Sequence, residues 1–258
     1  MKKIYIGIDV GGSKIAGVAL GTLGGKPKRK FISVFPRTEH GFLKTLEEGM
    51  AILRGKDRVA GIGVGLPGSV DYGRGVLIRA GNLRFIKNWN AKKFFARFGS
   101  HVQVDNDSRC FLRAEALRGA GRGYRNIVGV AIGTGIGGGI ITNGEMYYGT
   151  HGRAGHVGHM VINHMKNLEQ LGAKEAFLRL GNRSEIIGVG IANIINVLDP
   201  DIIILGGGGG LSKHVNPRTV RTIANKHVVR YMRGETPIVK GKLGEFAQAI
   251  GAALLFKK

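Results

Sequence analysis

The apolar positions of this chain fall into short runs that alternate with glycine-rich and polar breaks. Runs of this length bounded by glycine read as strands, and three are predicted at about 3–10, 14–20 and 30–35. Phe42, Leu43, Leu46, Met50 and Leu53 then recur at helical spacing and predict a helix over about 41–53. A strand at about 59–65 runs into Gly65-Leu66-Pro67-Gly68. A loop-rich stretch with Asn82 and Trp89 follows, then a short strand at 101–104 and a helix from about 108 to 119. The second half repeats this order, with strands near 126–132 and 138–142, helices at about 170–180 and 184–198, and a strand at 201–205. A helix near 215–231, a short strand near 237–239 and a terminal helix over about 245–256 close the chain.

The repeat is one of topology rather than of letters, and it predicts two α/β domains of one design with a cleft between them. The first is expected over 1–106, completed by the C-terminal helix 245–258, and the second over 107–244. Ser184 ahead of Glu185-Ile186-Ile187 is a predicted helix N-cap. The helix it opens is apolar nearly all round and is expected to be buried. Ile202-Ile203-Ile204-Leu205 is a continuous apolar run, as a central strand covered on both faces requires.

Two of the breaks share one pattern. Asp9-Val10-Gly11-Gly12-Ser13-Lys14 and Gly133-Thr134-Gly135-Ile136-Gly137-Gly138-Gly139 each follow an apolar strand and lead into another. Each reads as a β-hairpin whose glycines supply positive φ and whose exposed N–H groups form a concavity for phosphate oxygens. A dinucleotide-binding loop needs its glycines to open a helix, and here a strand follows instead. A Walker loop needs Gly-Lys followed by Ser or Thr, and the chain has no such tripeptide. One such hairpin is equally well an ordinary glycine turn. Two in corresponding positions of a repeated fold suggest a pair of phosphate clamps.

Composition narrows the class. With 258 residues, 43% of them hydrophobic, the chain can bury a substantial core. Cys110 is the one cysteine, which leaves neither a disulfide nor a cysteine-rich zinc site within the chain. No apolar run approaches the roughly 18 residues of a membrane span, and no leader-like segment precedes the first strand, so a cytoplasmic protein without membrane contact is expected. Lys and Arg number 39 against 17 Asp and Glu, a net charge of +22. That excess favours anionic ligands. The basic residues are scattered, however, and no aromatic residues interleave with them, so no specific nucleic-acid partner is expected.

Candidate chemistry concentrates in three places. Val104-Asp105-Asn106-Asp107-Ser108 lies at a predicted strand-to-helix junction. Asp107 there suits either a general base toward a hydroxyl or a helix N-cap. Gly152-Arg153-Ala154-Gly155-His156-Val157-Gly158-His159, followed by Leu168-Glu169, offers planar polar groups for sugar hydroxyls. His156, His159 and His164 are an alternative zinc set. Gly206 to Gly210 ends the strand at 201–205, where bare backbone admits a flat adenosine or serves as a flexible linker.

Taken together, these segments resemble the ROK family (repressors, open reading frames, kinases) of actin-like sugar kinases over essentially the whole chain. Asp9 to Lys14 is similar to the family's first phosphate motif and Gly133 to Gly139 to its second. Gly65-Leu66-Pro67-Gly68, Asn82-Leu83 and Asn106-Asp107 match its sugar-contacting segments, and Leu205-Gly206-Gly207-Gly208 its adenosine segment.

The resemblance implies two actin-like, ribonuclease H-like domains and transfer of the γ-phosphate of Mg-ATP to a hexose, by default the 6-hydroxyl of glucose. Asp107 would be the general base. Gly68, Asn82, Asn106, His156, His159 and Glu169 would surround the sugar. Asp9, Gly11, Gly12, Ser13, Lys14, Gly133, Thr134, Gly135, Gly207 and Gly208 would hold the nucleotide, with Asp9 on Mg2+ through water. A homodimer completes the expectation.

Three departures qualify it. The family's Ala-Gly-Glu-x-Gly-His has His156 in place of Glu, which bears on sugar choice because imidazole cannot offer two carboxylate oxygens. The cysteine-rich zinc loop is missing, so no structural zinc is expected. The first phosphate strand begins within the first few residues, so no helix-turn-helix is expected ahead of it. Competing classes are a kinase for an amino sugar or another sugar, and a catalytically weak sugar- or nucleotide-binding sensor.

Overall fold

The computed structural model describes residues 2–81, 83, 85–173 and 183–257. The chain forms two compact units, Met1–Ala114 with Phe246–Lys258, and Glu115–Glu245.

In the first unit, β1 (Lys3–Val10) and β2 (Lys14–Leu20) form a hairpin, and β3 (Pro27–Val34) pairs with β2 in antiparallel register. After α1 (Glu39–Arg54), β4 (Arg58–Leu66) returns parallel to β1. Thr38 caps α1 by accepting from the Gly41 N–H, and Phe42, Leu46, Met50 and Leu53 are its buried face, as their spacing predicts.

The loop-rich stretch after β4 is more structured than the sequence suggests. β5 (Ser69–Asp71), β6 (Val76–Arg79) and β7 (Trp89–Asn90) form a small antiparallel sheet, and α2 (Ala91–Ala96) follows. Strands of two to four residues are too short to show a period. An aromatic cluster of Phe35, Phe42, Phe85, Trp89, Phe94 and Phe95 anchors this sheet to the unit's core. β8 (Val102–Asn106) then joins the main sheet parallel to β4, giving the order β3-β2-β1-β4-β8, and leads into α3 (Asp107–Arg118).

The second unit repeats the design. β9 (Ile127–Ile132) and β10 (Ile136–Thr142) form a hairpin, and β11 (Glu145–Met146) extends it. A two-stranded ribbon, β12 (Val161–Asn163) and β13 (Lys166–Asn167), precedes the short helix α4 (Leu168–Gly172) and the long α5 (Arg183–Leu198). β14 (Ile202–Gly206) lies parallel to β9, and the main sheet has the order β11-β10-β9-β14-β15, with β15 at Ile238–Lys240. Between β14 and β15 lie α6 (Gly207–Leu211) and α7 (Pro217–His227). Each main sheet is thus an antiparallel trio followed by two parallel strands, the doubled topology read from the sequence.

Several local expectations change. The glycines of the two hairpin loops do not have positive φ; the left-handed glycines lie elsewhere, at Gly68, Gly155 and Gly207 among others. The Gly11 N–H bonds the Lys14 carbonyl and the Gly133 N–H bonds the Gly135 carbonyl, which close the loops without left-handed residues. Ser184 is not an N-cap: α5 begins one residue earlier, and the Ser184 hydroxyl accepts from the Asn216 N–H instead. The terminal helix is α-helical only over Ala247–Ala253, with single 3-10 turns at Gly244–Phe246 and Leu254–Phe256. Of the helix expected at 170–180, only its first three positions are helical, within α4, which ends at Gly172 where Ala173 turns extended; residues 174–182 lie outside the described part. No helix among the described residues is long and apolar enough to cross a membrane.

The C-terminal helix Ala247–Ala253 packs backbone to backbone on the first unit's sheet. A Cβ on Gly7 would run into the Ala249 carbonyl, and one on Gly63 into that of Ala252. On the helix, a Cβ on Gly251 would run into the Cys110 carbonyl of α3. Main-chain obstacles cannot rotate away as side chains do. Gly63→Ala is therefore expected to cost about 3 kcal/mol or more, the upper end of overpacking penalties. Gly24→Ala, where nothing lies within 4 Å of the new methyl, should stay within about 0.5 kcal/mol of wild type. Thermal melts of the two variants test the contrast.

Candidate active site

β1 carries Asp9 to the end of the first hairpin, opposite Ala16 on β2 and Gly65 on β4. Its side chain is buried, and Oδ1 has no hydrogen-bond partner among the described residues. Burial, and then the charge of Asp107, push its pKa well above the ordinary carboxylate value, with Lys14 pulling the other way. A buried carboxylate oxygen left unsatisfied by the polypeptide suits a cation or a cation's bound water.

Asp107 stands at the junction of β8 and α3. Asn106 performs the capping: its Oδ1 accepts from the N–H groups of Ser108 (3.0 Å) and Arg109 (3.3 Å), and its Nδ2 donates to the Leu66 carbonyl. Asp107 is the first helical residue, and its Oδ1 accepts from the Ser108 N–H at 2.7 Å and the Ser108 hydroxyl at 3.2 Å. Desolvation raises its pKa to about 6, against the opposing pull of Ser108 and Arg109. A group titrating there is ionised at neutral pH yet basic enough to take a proton from a hydroxyl in flight.

The strand β4 brings two further segments to this corner. A Cβ on Gly65 would lie 3.4 Å from the Asp107 Cα. Gly68 has φ +73°, and a side chain there would meet the backbone of Arg79 and Ala80, so only glycine fits. Ala80 and Leu83 form a turn through the Leu83 N–H, and Asn82 between them lies outside the described residues.

The second unit holds the other predicted residues. Glu169, the second residue of α4, reaches the second hairpin: its Oε2 accepts from the Ile136 N–H at 2.6 Å. A Cβ on Gly135 would collide with that carboxylate, which gives this glycine a spatial rather than a conformational reason. α4 itself is fixed by a capping box between Asn167 and Gln170. Thr134 is exposed at the loop tip.

Gly207 has φ +71° and lies against the backbone of Ile132, the residue just before the hairpin loop. Gly206 to Gly210 is therefore no flexible linker. It turns into α6, whose last carbonyls at Leu211 and Ser212 accept from the Lys240 ammonium. Gly208 has nothing within 4 Å of where a Cβ would stand, so its backbone face is open. Gly11, Gly12, Ser13 and Lys14 remain in the first unit's loop.

His156 and His159 are both exposed beside a 3-10 turn over Val157–His159, with ring centroids 5.9 Å apart. His164 sits at the tip of the β12–β13 ribbon with φ +38°. Among the described residues no group of three or more His, Cys, Asp or Glu is placed to hold a metal, so the three-histidine alternative is not assembled.

The sequence reading overlooked one set of residues at this corner. Asp105 accepts from Arg109 and Arg113, and the Arg109 guanidinium lies 4.4 Å from the Tyr72 ring centroid. Part of the signal was legible: Arg109 and Arg113 stand four residues apart on one face of α3, and Asp105, at the end of β8, stands four residues before Arg109. Glu115 was also missed. It is fully buried and accepts from the N–H groups of Ala120, Lys242 and Leu243.

Comparison with known proteins follows the same lines. The model of the family described as "ROK family" matches residues 5–174 and 162–258. An N-acetyl-D-glucosamine kinase of Mannheimia succiniciproducens is 27% identical over 305 aligned positions, covering 97% of this chain and 98% of its own. A glucokinase of Thermotoga maritima is 24% identical, covering 98% and 97%. Among solved structures, a ROK family glucokinase from Streptomyces griseus, in complex with glucose and AMPPNP, superposes with a TM-score of 0.87 at 23% identity and covers 98% of both chains. That likeness establishes the fold.

The Asp107 environment has a measurable consequence. Its folded pKa lies above the unfolded value, so ionising it opposes folding as pH rises from about 4 through 6. Asp107→Asn should come close to wild-type stability near pH 4 and exceed it by about 3 kcal/mol at pH 8, the scale of a shift of this size. Thermal melts of both proteins across that range check the sign.

Proposed function

The chain belongs to the ROK family and has its two actin-like domains, and from that premise we propose that it is an ATP-dependent sugar kinase with Asp107 as its general base. The observation that carries the reading is the half-buried Asp107 carboxylate, fixed at the start of α3 and raised to about 6. In this reading a sugar hydroxyl donates its hydrogen bond to Asp107, and its oxygen attacks the γ-phosphorus of ATP in line with the leaving ADP. The hydroxyl proton passes to Asp107 as the new P–O bond forms. Positioning supplies most of the effect, because a loose phosphoryl-transfer transition state asks little covalent chemistry of the protein.

The first unit would carry the sugar side through Asn106, Gly68 and Asn82, and the first phosphate loop through Gly11, Gly12, Ser13 and Lys14. The second would carry Gly133, Thr134 and Gly135 for the phosphates and Gly207 and Gly208 for the adenosine, with His156, His159 and Glu169 toward the sugar. Asp9 fits a magnesium ion held through water, since its buried Oδ1 has no hydrogen-bond partner among the described residues. Such an ion, when bound with ATP, offsets the phosphate charge. A homodimer belongs to the same proposal.

The 6-hydroxyl of glucose is the default acceptor. An N-acetylated amino sugar is a specific second reading, favoured by the relative named N-acetyl-D-glucosamine kinase, which aligns over nearly the whole chain. His156 bears on the choice, because a neutral imidazole offers one donor and one acceptor where a carboxylate offers only acceptors.

ADP release with Mg-ATP across glucose, mannose and their N-acetylamino counterparts tests the proposal. Asp107→Ala should lower kcat by about 10²- to 10⁴-fold, the usual cost of removing a general base. In the wild type, kcat/KM should fall as pH drops through about 6, because protonated Asp107 cannot accept the hydroxyl proton. Full activity in Asp107→Ala would remove that residue from the role. Absence of turnover with every sugar, in protein that binds ATP, would make the chain a binding relative rather than a kinase.

A further inference from the structure

Asp105 is the penultimate residue of β8 and is 2% exposed. Its Oδ1 accepts from Arg109 Nε at 2.7 Å and from the N–H of Asn106 at 2.8 Å, and its Oδ2 accepts from Arg113 Nη2 at 2.9 Å. Arg109 is equally buried, with a side chain 3% exposed, and its guanidinium stacks on Tyr72 in the turn between β5 and β6. One carboxylate therefore holds Asn106, the residue before Asp107, and Arg109, two residues after it. Through Arg113 it also holds the following turn of α3.

A buried ion-pair network is a costly way to attach a helix, because apolar side chains of similar volume commonly do so at least as well. What the network supplies that apolar packing does not is directional hydrogen bonding on both sides of Asp107, together with a defined charge balance beside it. Two guanidinium groups face one carboxylate. Deleting that carboxylate leaves a larger positive potential at Asp107 without touching Asp107 itself.

We propose that Asp105 is a positioning residue for the phosphoryl transfer, fixing the corner from which Asp107 works and partly neutralising the arginine charge beside it. The proposal rests on the reading of Asp107 as general base. The charged and titratable groups that act on Asp107 or are acted on by it are Asp9 from β1, Arg109 and Cys110 from α3, and Tyr72 from the β5–β6 turn. Lys14 on β2 acts on Asp9. Burial holds Cys110 and Tyr72 above their usual ranges and so neutral near pH 6. Asp9, raised by its own burial and by the Asp107 charge, is the other carboxylate of this corner.

The test pairs two readouts on the full chain. Carboxyl carbon NMR follows the Asp107 titration, with its signal assigned by Asp107→Asn and that of Asp9 by Asp9→Asn. Steady-state kinetics with the accepted sugar gives kcat and both KM values. Asp105→Asn retains an acceptor for the Asn106 N–H and removes the charge. It should move the Asp107 midpoint down by about one pH unit, the lower end of the effect of a neighbouring cation, because Asp105 no longer offsets the arginine charge. It should also lower kcat about ten-fold through misplacement of the base, with KM for sugar and ATP within about two-fold of wild type.

A merely structural role would leave the midpoint in place, and an unmoved midpoint with unchanged kcat in a folded variant overturns the proposal. If Asp105→Asn does not fold, Arg109→Lys keeps the charge and loses the Nε contact. A drop in kcat at constant midpoint then supports the positioning role, and wild-type kcat refutes it. Absence of turnover in the wild type sinks the kinase reading and, with it, the catalytic part of this proposal. The NMR midpoint still decides whether Asp105 governs Asp107.

Discussion

The close approach of the C-terminal helix to the sheet of the first unit is the constraint on which its candidate active-site corner depends. Three glycines make it possible. Gly7 on β1 and Gly63 on β4 accept helix carbonyls where any side chain would stand, and Gly251 on the helix lies against the Cys110 carbonyl. The helix is thereby locked to the two central strands and to α3 together. Those elements end in the residues of interest: β1 in Asp9 and its loop, β4 in Gly65 to Gly68, and α3 begins with Asp107. Alanines at 249, 252 and 253 keep the contact at backbone distance, and the geometry follows from close-packed main chain rather than adaptable side chains.

Charge is distributed around this corner with one sign in surplus at each step. Asp9 is buried and Asp107 half-buried, and the charge of Asp107 disfavours that of Asp9. Lys14 and Arg109 offset them in part. Asp105 in turn offsets Arg109 and Arg113. The result is a carboxylate raised to about 6 and a second, buried carboxylate whose Oδ1 has no hydrogen-bond partner among the described residues, the combination that the proposed phosphoryl transfer would use. Ordinary surface carboxylates, held low by water and salt, would lack both properties. The overall charge of +22 has no comparable local explanation; the cations around Asp107 are few and paired or stacked.

In the second unit the corresponding problem is solved with backbone. Gly133 and Gly135 close their loop by a main-chain bond, Glu169 holds the next N–H, and Gly207 lies against Ile132 just ahead of the loop. The loop is braced from both flanks, so its N–H groups keep their directions. Preorganised donors of this kind stabilise charge without reorienting when it arrives. Glu169 therefore has a definite local task in this unit alongside the sugar contact that the resemblance implies for it.

Much of the architecture was legible because it is written in period and punctuation. The hairpin strands, the face of α1 with Phe42, Leu46, Met50 and Leu53, the buried run Ile202 to Leu205 and the doubled order of elements all follow from local patterns of burial. So did the identity of the strand-to-helix corner at Asn106-Asp107. What the sequence misjudged or left open depended on contacts between positions far apart in the chain. It assigned the loop glycines a conformational purpose, whereas at Gly135 the reason is the carboxylate of Glu169, 34 positions away. It left the capping of α3 undecided, which the carbonyl of Leu66 and the N–H groups of Ser108 and Arg109 resolve in favour of Asn106. The short strands β5 to β7 had no period to read; they pair with one another, and Trp89 of β7 packs on Phe42 and Phe95 from distant parts of the chain. Residue pattern alone determines which backbone segments can form and which face they bury. Which carboxylate loses its water, and which N–H it then takes instead, was decided only when the tertiary fold brought distant main chain together.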